Sequence, residues 1–253
     1  MRYKLIITDF DGSLVGDSLN ISYQNISAIN RFREMGGDIT IATGRRWSSI
    51  KPFVELLNIK IPVILYNGAG IYDPTKENWI YRKFLRVEFL KEILRFLKTY
   101  EGKCSFGFYI NDELYEEWKI DKIFSLLEGK VIKFFIEADR KILEEIQRGL
   151  NKYFYDKVTI VISSYKFLEI LPKGCSKGRA MLKLLHLLKI SPMEVIAIGD
   201  YDNDLDMLKL AGIGITLPNA SERVKKFADF VTKSDPDGAI AEIINKLERG
   251  ELI

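Results

Sequence analysis

The stretch from Lys4 to Thr8 is a short apolar run that stops at acidic residues, which predicts a buried strand. From Ser22 to Met35, apolar residues recur at Ile26, Ile29, Phe32 and Met35. That spacing fits one face of a helix, and Gly36-Gly37 supplies the stop. Asp38 to Thr43 reads as the next strand, followed by a helix to Leu57 and a strand from Pro62 to Tyr66. The C-terminal third repeats the scheme. A helix is predicted over about Ser176 to Lys189, a strand at Val195 to Ile198 and a helix over Leu205 to Leu210. Gly214 to Leu217 and Asp229 to Val231 read as strands, and Asp237 to Leu247 as the closing helix. Strands alternating with helices predict an α/β fold with a doubly wound, Rossmann-like parallel sheet. Such sheets carry ligands at the carboxyl ends of their strands.

The middle of the chain has a different pattern. Leu90, Ile93, Leu94 and Leu97 mark one amphipathic helix, and Leu143, Ile146 and Leu150 mark another. Between and after them lie strand-like segments at Ser105 to Ile110, Glu113 to Trp118, Val131 to Ile136, Val158 to Ser163 and Phe167 to Leu171. Hairpin-like pairs of this kind predict an antiparallel sheet with helices on one face. The expected organisation is a core built from residues 1–81 and 173–253, with a smaller α+β domain over 82–172 inserted into it.

Composition narrows the function classes. Apolar residues make up 47% and charged residues 29% of the 253, an ordinary globular balance. The formal net charge of +3 gives no electrostatic case for nucleic acid or an anionic membrane as partner. No apolar run approaches the ~18 residues of a membrane-spanning helix, and the N-terminus lacks the apolar core of a signal peptide. The expectation is a cytoplasmic protein, monomer or dimer. Cys104 and Cys175 form no metal-spaced pattern and read as small buried residues. The chain has a single histidine, His186, on a predicted helix away from any motif. Chemistry must therefore run on carboxylates, hydroxyls and lysines.

Polar residues of that kind gather at the predicted strand ends. The first strand runs into Asp9-Phe10-Asp11-Gly12-Ser13. Carboxylates at i and i+2 of an extended strand point the same way, and the glycine permits a sharp turn. One carboxylate can attack while the other handles a proton, although a solvated acidic loop would look alike. The second strand ends at Thr43-Gly44-Arg45, where Thr43 also suits a plain helix cap. Lys177 stands in Lys173-Gly174-Cys175-Ser176-Lys177-Gly178, leading into a helix, where a surface lysine is the ordinary alternative. Last comes Gly199-Asp200-Tyr201-Asp202-Asn203-Asp204-Leu205-Asp206. An acidic helix start explains Asp202 and Asp206, but not an apolar strand ending in Gly-Asp with Asn-Asp soon after.

Taken in order, DxDG, TGR, an isolated lysine and GDxxND resemble the haloacid dehalogenase superfamily. Asn67-Gly68-Ala69 and the Leu171-Pro172 to Gly178 segment are similar to its Cof-like phosphatases, which carry an α/β cap between the second and third motifs. Ser13 stands where that family usually has threonine, and the inserted segment is shorter than in many relatives. The resemblance implies a phosphatase acting on small phosphate monoesters, sugar phosphates or similar metabolites, with Mg²⁺ as cofactor. It implies Asp9 as the nucleophile and Asp11 as the acid and base. Magnesium would sit between Asp9, the Asp11 carbonyl and Asp200, with Asp204 beside it, supporting those ligands or reaching the metal through water. Thr43, the Gly44 N–H, Lys177 and Asn203 would hold phosphoryl oxygens, and Arg45 would either reach the substrate or the cap or form a structural salt bridge. Asp11 stands where the family's ion-pump ATPases have threonine, which favours hydrolysis. A phosphoglycolate phosphatase, a phosphomutase or phosphotransferase, and a non-catalytic phospho-ligand sensor are the alternatives. The sensor would be expected to lack a key carboxylate, and all are present. Tyr109, Asn111, Tyr115 and Trp118 lie in the inserted segment as candidate leaving-group contacts or as its core.

Overall fold

The computed structural model describes residues 2–116 and 130–252. Its central sheet is made of β1 (Leu5–Thr8), β2 (Asp38–Ile41), β11 (Val195–Ile198), β12 (Ile213–Thr216) and β13 (Phe230–Val231), in the order β13-β12-β11-β1-β2, all parallel. Successive side chains of a strand point to opposite faces, and the apolar residues divide accordingly. Ile6, Ile39, Ile41, Ile196, Ile198 and Ile215 pack under α1 (Tyr23–Glu34), α2 (Trp47–Leu56) and α8 (Pro236–Glu248). Leu5, Ile7, Val195 and Ala197 pack under α5 (Lys177–Leu188), α6 (Leu205–Leu210) and α7 (Glu222–Phe227). The sheet is doubly wound, as the sequence pattern implies, and β1 lies beside β11 where the winding reverses. That switch point opens a crevice at the carboxyl ends of both strands.

Local signals set the helix limits. The Ser22 hydroxyl accepts the Asn25 N–H at 3.1 Å, capping α1. The chain leaves α1 through Gly36 at φ 89°. Ser176 caps α5 in the same way through the Arg179 N–H at 3.3 Å. Strand boundaries shift by a residue or two from expectation. β2 stops at Ile41, and β3 is Val63–Leu65, joined to the end of β2 by one bridge between Ala42 and Ile64. Two strands that the hydrophobic pattern does not signal follow β3 as antiparallel neighbours, β4 (Gly70–Asp73) and β5 (Asn78–Arg82).

The inserted unit is an antiparallel sheet in the order β7-β6-β8-β10-β9. Its strands are β6 (Ser105–Ile110), β7 (Glu113–Tyr115), β8 (Val131–Glu137), β9 (Val158–Ile162) and β10 (Phe167–Pro172). The strand expected over Glu113 to Trp118 is described as far as Tyr115, and Trp118 lies outside the described residues. One face packs Phe106, Phe108, Phe134, Ile136, Leu168 and Ile170 against α3 (Val87–Leu97) and α4 (Arg140–Phe154). The alternate positions Tyr109, Lys133 and Glu169 turn the other way and roof the crevice of the core. Among the described residues, no helix is long and apolar enough to cross a membrane. Both cysteines are free and buried.

Candidate active site

Asp9 extends β1 by one residue, its N–H donating to the Ile198 carbonyl at 2.8 Å. Its Oδ1 lies 2.7 Å from Nζ of Lys177, which enters from the first turn of α5. The same ammonium donates to Asp204 Oδ1 at 2.6 Å. Lys177 is 1% exposed, so the ordinary fate of a surface lysine does not apply. Asp204 is fully buried, and its second oxygen accepts the backbone N–H groups of Asp200 and Tyr201 at 3.2 and 3.1 Å. It thereby shapes the turn that presents Asp200. Gly12 explains the fourth letter of DxDG. It sits at φ 76°, and a Cβ there would come within 2.2 Å of Asp200 Oδ2. Asn219, which the sequence motifs do not signal, ties the turn down by donating to the Gly12 carbonyl at 3.0 Å and to Asp200 Oδ2 at 3.1 Å.

One lysine faces a surplus of buried negative charge. Each of Asp9, Asp200 and Asp204 offers an oxygen within 4.8 Å of the others. Burial and then the Asp204 carboxylate push the Asp200 carboxyl up to about 7. Burial and the Asp204 carboxylate likewise hold Asp9 well above the usual carboxylate range. Burial alone would pull the Lys177 ammonium down, but Asp204 and Asp9 more than offset it and hold the amine above its ordinary value. Such a cluster, all hard oxygen donors with excess negative charge, fits a small divalent cation such as Mg²⁺. Asp9 and Asp200 would hold it, with Asp204 adjoining.

Of the remaining sequence candidates, Asp11, Gly44, Arg45 and Asn203 share a cleft with Asp9 and Asp200. Asp11 lines the same cleft but turns away from the acidic group to a two-pronged ion pair with Arg45, Nε to Oδ2 at 2.9 Å and Nη2 to Oδ1 at 2.6 Å. The Arg45 guanidinium also lies 4.8 Å over the Phe10 ring. Of the two tasks open to it, Arg45 here makes a salt bridge within the site, to Asp11. Thr43 is buried, and its Oγ1 accepts the Arg45 N–H at 3.1 Å, which closes a tight turn at Thr43-Gly44-Arg45. Asn203 donates to Asn67 Oδ1 at 3.1 Å, and its own Oδ1 is buried without a partner among the described residues. His186 lies exposed on α5.

The roof supplies residues that the sequence motifs miss. Lys133 Nζ donates to Glu169 Oε1 at 3.0 Å and to the Gly44 carbonyl at 2.6 Å. Glu169 also accepts from Ser163 Oγ at 2.9 Å and Asn67 Nδ2 at 2.7 Å. Their signal is present in the sequence: a lysine and a glutamate at the centres of otherwise apolar strands. Of the aromatic candidates, Tyr109 lines the cleft, whereas Tyr115 packs against the hydrophobic core of the inserted unit. The cleft encloses about 660 Å³, enough for a sugar-sized ligand and more.

Comparison with known proteins agrees with this geometry. The sequence profile of haloacid dehalogenase-like hydrolases matches residues 6–244. A 5-amino-6-(5-phospho-D-ribitylamino)uracil phosphatase of Bacillus subtilis, YwtE, is 28% identical, with 98% of this chain and 99% of that protein covered. A phosphoglycolate phosphatase of Methanopyrus kandleri is 29% identical, covering 96% and 97%. Among solved structures, a haloacid dehalogenase-like hydrolase from Bacteroides thetaiotaomicron superimposes with a TM-score of 0.80 at 29% identity, covering 97% of this chain and 99% of that one.

Proposed function

This chain belongs to the haloacid dehalogenase-like hydrolase family, and we propose that it cleaves small phosphate monoesters by passing the phosphoryl group through Asp9. The matched relatives make it a phosphatase. The observation that carries the mechanism is the buried cluster itself, with Asp9 held against Lys177 beside Asp200 and Asp204. An Asp9 oxygen attacks phosphorus and the bond to the leaving oxygen breaks. That oxygen takes a proton from Asp11, once Asp11 has parted from Arg45 and taken up a proton from solvent. Asp11, now a carboxylate, takes a proton from water. The water oxygen attacks phosphorus and the Asp9–phosphorus bond breaks, releasing orthophosphate. Lys177, Thr43 and the Gly44 N–H hold the phosphoryl oxygens meanwhile, with Asn203 at the rim. Asp9 and Asp200 would hold Mg²⁺, which would supply charge neutralisation for the transferring group.

Substrates are sugar phosphates or similar metabolites, with phosphoglycolate as the competing choice. Three relatives from Bacillus subtilis are named for an ester of a ribityl chain, and one from Methanopyrus kandleri for phosphoglycolate. The polar roof of Lys133, Glu169 and Ser163 favours a hydroxylated leaving group. A panel of phosphate esters assayed with Mg²⁺ tests this reading. Two variants sharpen it. Lys177→Met should depress every ester by about a hundredfold or more, because it touches the phosphoryl group that all share. Lys133→Met should instead change the ranking of esters, lowering hydroxylated ones more than a plain aryl phosphate. An equal fall for every ester in Lys133→Met would show that the roof takes no part in choosing the substrate.

A further inference from the structure

The ten-residue helix α2 begins directly after the Thr43-Gly44-Arg45 loop, yet its own N-cap residue, Arg46, makes no side-chain cap. The first N–H groups of a helix need acceptors. They find them in the inserted unit. Asp112 Oδ1 accepts the Trp47 N–H at 3.1 Å, and Oδ2 accepts the Ser48 N–H at 3.0 Å. The Tyr66 hydroxyl donates to the same carboxylate, and Arg46 Nη1 donates to the Asp112 carbonyl at 2.8 Å.

The turn that carries Asp112 gives a second observation. Ile110 pairs with Glu113, so Asn111-Asp112 is a two-residue hairpin loop between β6 and β7. Both loop residues have positive φ, 50° and 68°. Loops of that kind favour Asn-Gly, because the second position is costly for a residue with a Cβ. An aspartate stands there in place of the glycine that the turn alone would prefer, and its carboxylate is fully engaged across the domain boundary.

We propose that Asp112 is a positioning residue that caps α2 from the inserted unit and so fixes the phosphate-holding loop. The inference rests on the phosphatase reading of Thr43 and Gly44. The loop is held twice by the same unit, by Lys133 at its middle on the Gly44 carbonyl and by Asp112 on the start of α2 that follows it. Its inner side is anchored to the core through Asn67 N–H to the Thr43 carbonyl at 2.9 Å and Tyr66 N–H to the Arg45 carbonyl at 3.2 Å. Seating of the roof and alignment of the phosphoryl donors are therefore one event. A phosphoryl group that binds the aligned loop favours the seated roof, whatever its leaving group.

The test is Asp112→Gly, which relaxes the hairpin while deleting the cap, with Asp112→Asn as the conservative partner. The readout is the inhibition constant of orthophosphate against 4-nitrophenyl phosphate, which does not depend on the fraction of active protein. It should rise about three- to tenfold in Asp112→Gly and less in Asp112→Asn, which keeps one acceptor. The kcat/KM values of all esters should fall by a common factor, unlike those of Lys133→Met. An unchanged orthophosphate constant in Asp112→Gly would overturn the role of Asp112 alone. A wild-type protein that neither turns over the aryl ester nor responds to orthophosphate would overturn the phosphatase reading, and this inference with it.

Discussion

Replacing Asp9 with asparagine is expected to cut turnover by about three orders of magnitude or more without unfolding the protein. The amide has the shape of the carboxylate but cannot attack phosphorus. Its oxygen can still accept the Lys177 ammonium, now 2.7 Å from Asp9 Oδ1, and Lys177 keeps its second partner, Asp204. Stability should hold or increase. Asp9 is pushed well above the usual carboxylate range, first by burial and then by Asp204. Carrying its charge at neutral pH therefore costs the folded state, and asparagine removes that cost. The measured pair is kcat for an ester and the thermal midpoint in metal-free buffer at pH 8. A midpoint equal to or above wild type, with activity lost, marks a residue retained for chemistry at the expense of the fold. Near-normal kcat would require another nucleophile.

Removal of divalent metal should have an effect of similar size. A chelator should abolish ester hydrolysis, and added Mg²⁺ should restore it, because one lysine leaves the cluster of Asp9, Asp200 and Asp204 with unbalanced charge. The cluster also predicts how metal stabilises the fold. In the metal-free protein, burial and Asp204 raise Asp200 from 3.8 to about 7. A raised acid favours folding while protonated, and that contribution is lost as pH rises from its unfolded value through its folded one. A bound dication reverses the penalty by favouring the ionised form. The increase in thermal midpoint on adding Mg²⁺ should therefore be larger at pH 8 than at pH 5. Undiminished turnover in chelator, or a midpoint indifferent to Mg²⁺ at both pH values, would contradict the metal site.

The core was legible in the sequence because its strands are buried on both faces and read as unbroken apolar runs, Leu5-Ile6-Ile7 and Val195-Ile196-Ala197-Ile198. Chemistry placed at the ends of such runs stands out, which is why Asp9, Thr43 and Asp200 could be picked out before their neighbours were known. β4 and β5 were hidden because a short, half-exposed hairpin carries no long run, and its register slips between Ile71 and Tyr72. Partnerships were not legible at all. Asp11 and Arg45 are 34 residues apart, Lys133 and Glu169 are 36 apart, and only the fold brings them together. Asp112 looks like an ordinary turn residue until the first turn of α2 is found against it. Lys177 could be placed in a motif, but its burial between two carboxylates follows from how α5 meets the strand ends.

The central claim is that the phosphoryl group passes through Asp9, and trapping the intermediate tests it most directly. An acyl phosphate is reduced by borohydride to an alcohol, so phospho-aspartate becomes homoserine, whereas a free carboxylate is left intact. Wild-type protein with Mg²⁺ and a phosphate ester, quenched with borohydride during turnover and mapped by peptide mass, should carry homoserine at residue 9 and at no other aspartate. The signal should vanish when the ester or the metal is omitted. Full turnover with Asp9 unmodified, or homoserine at Asp11 or Asp200 instead, would contradict the account.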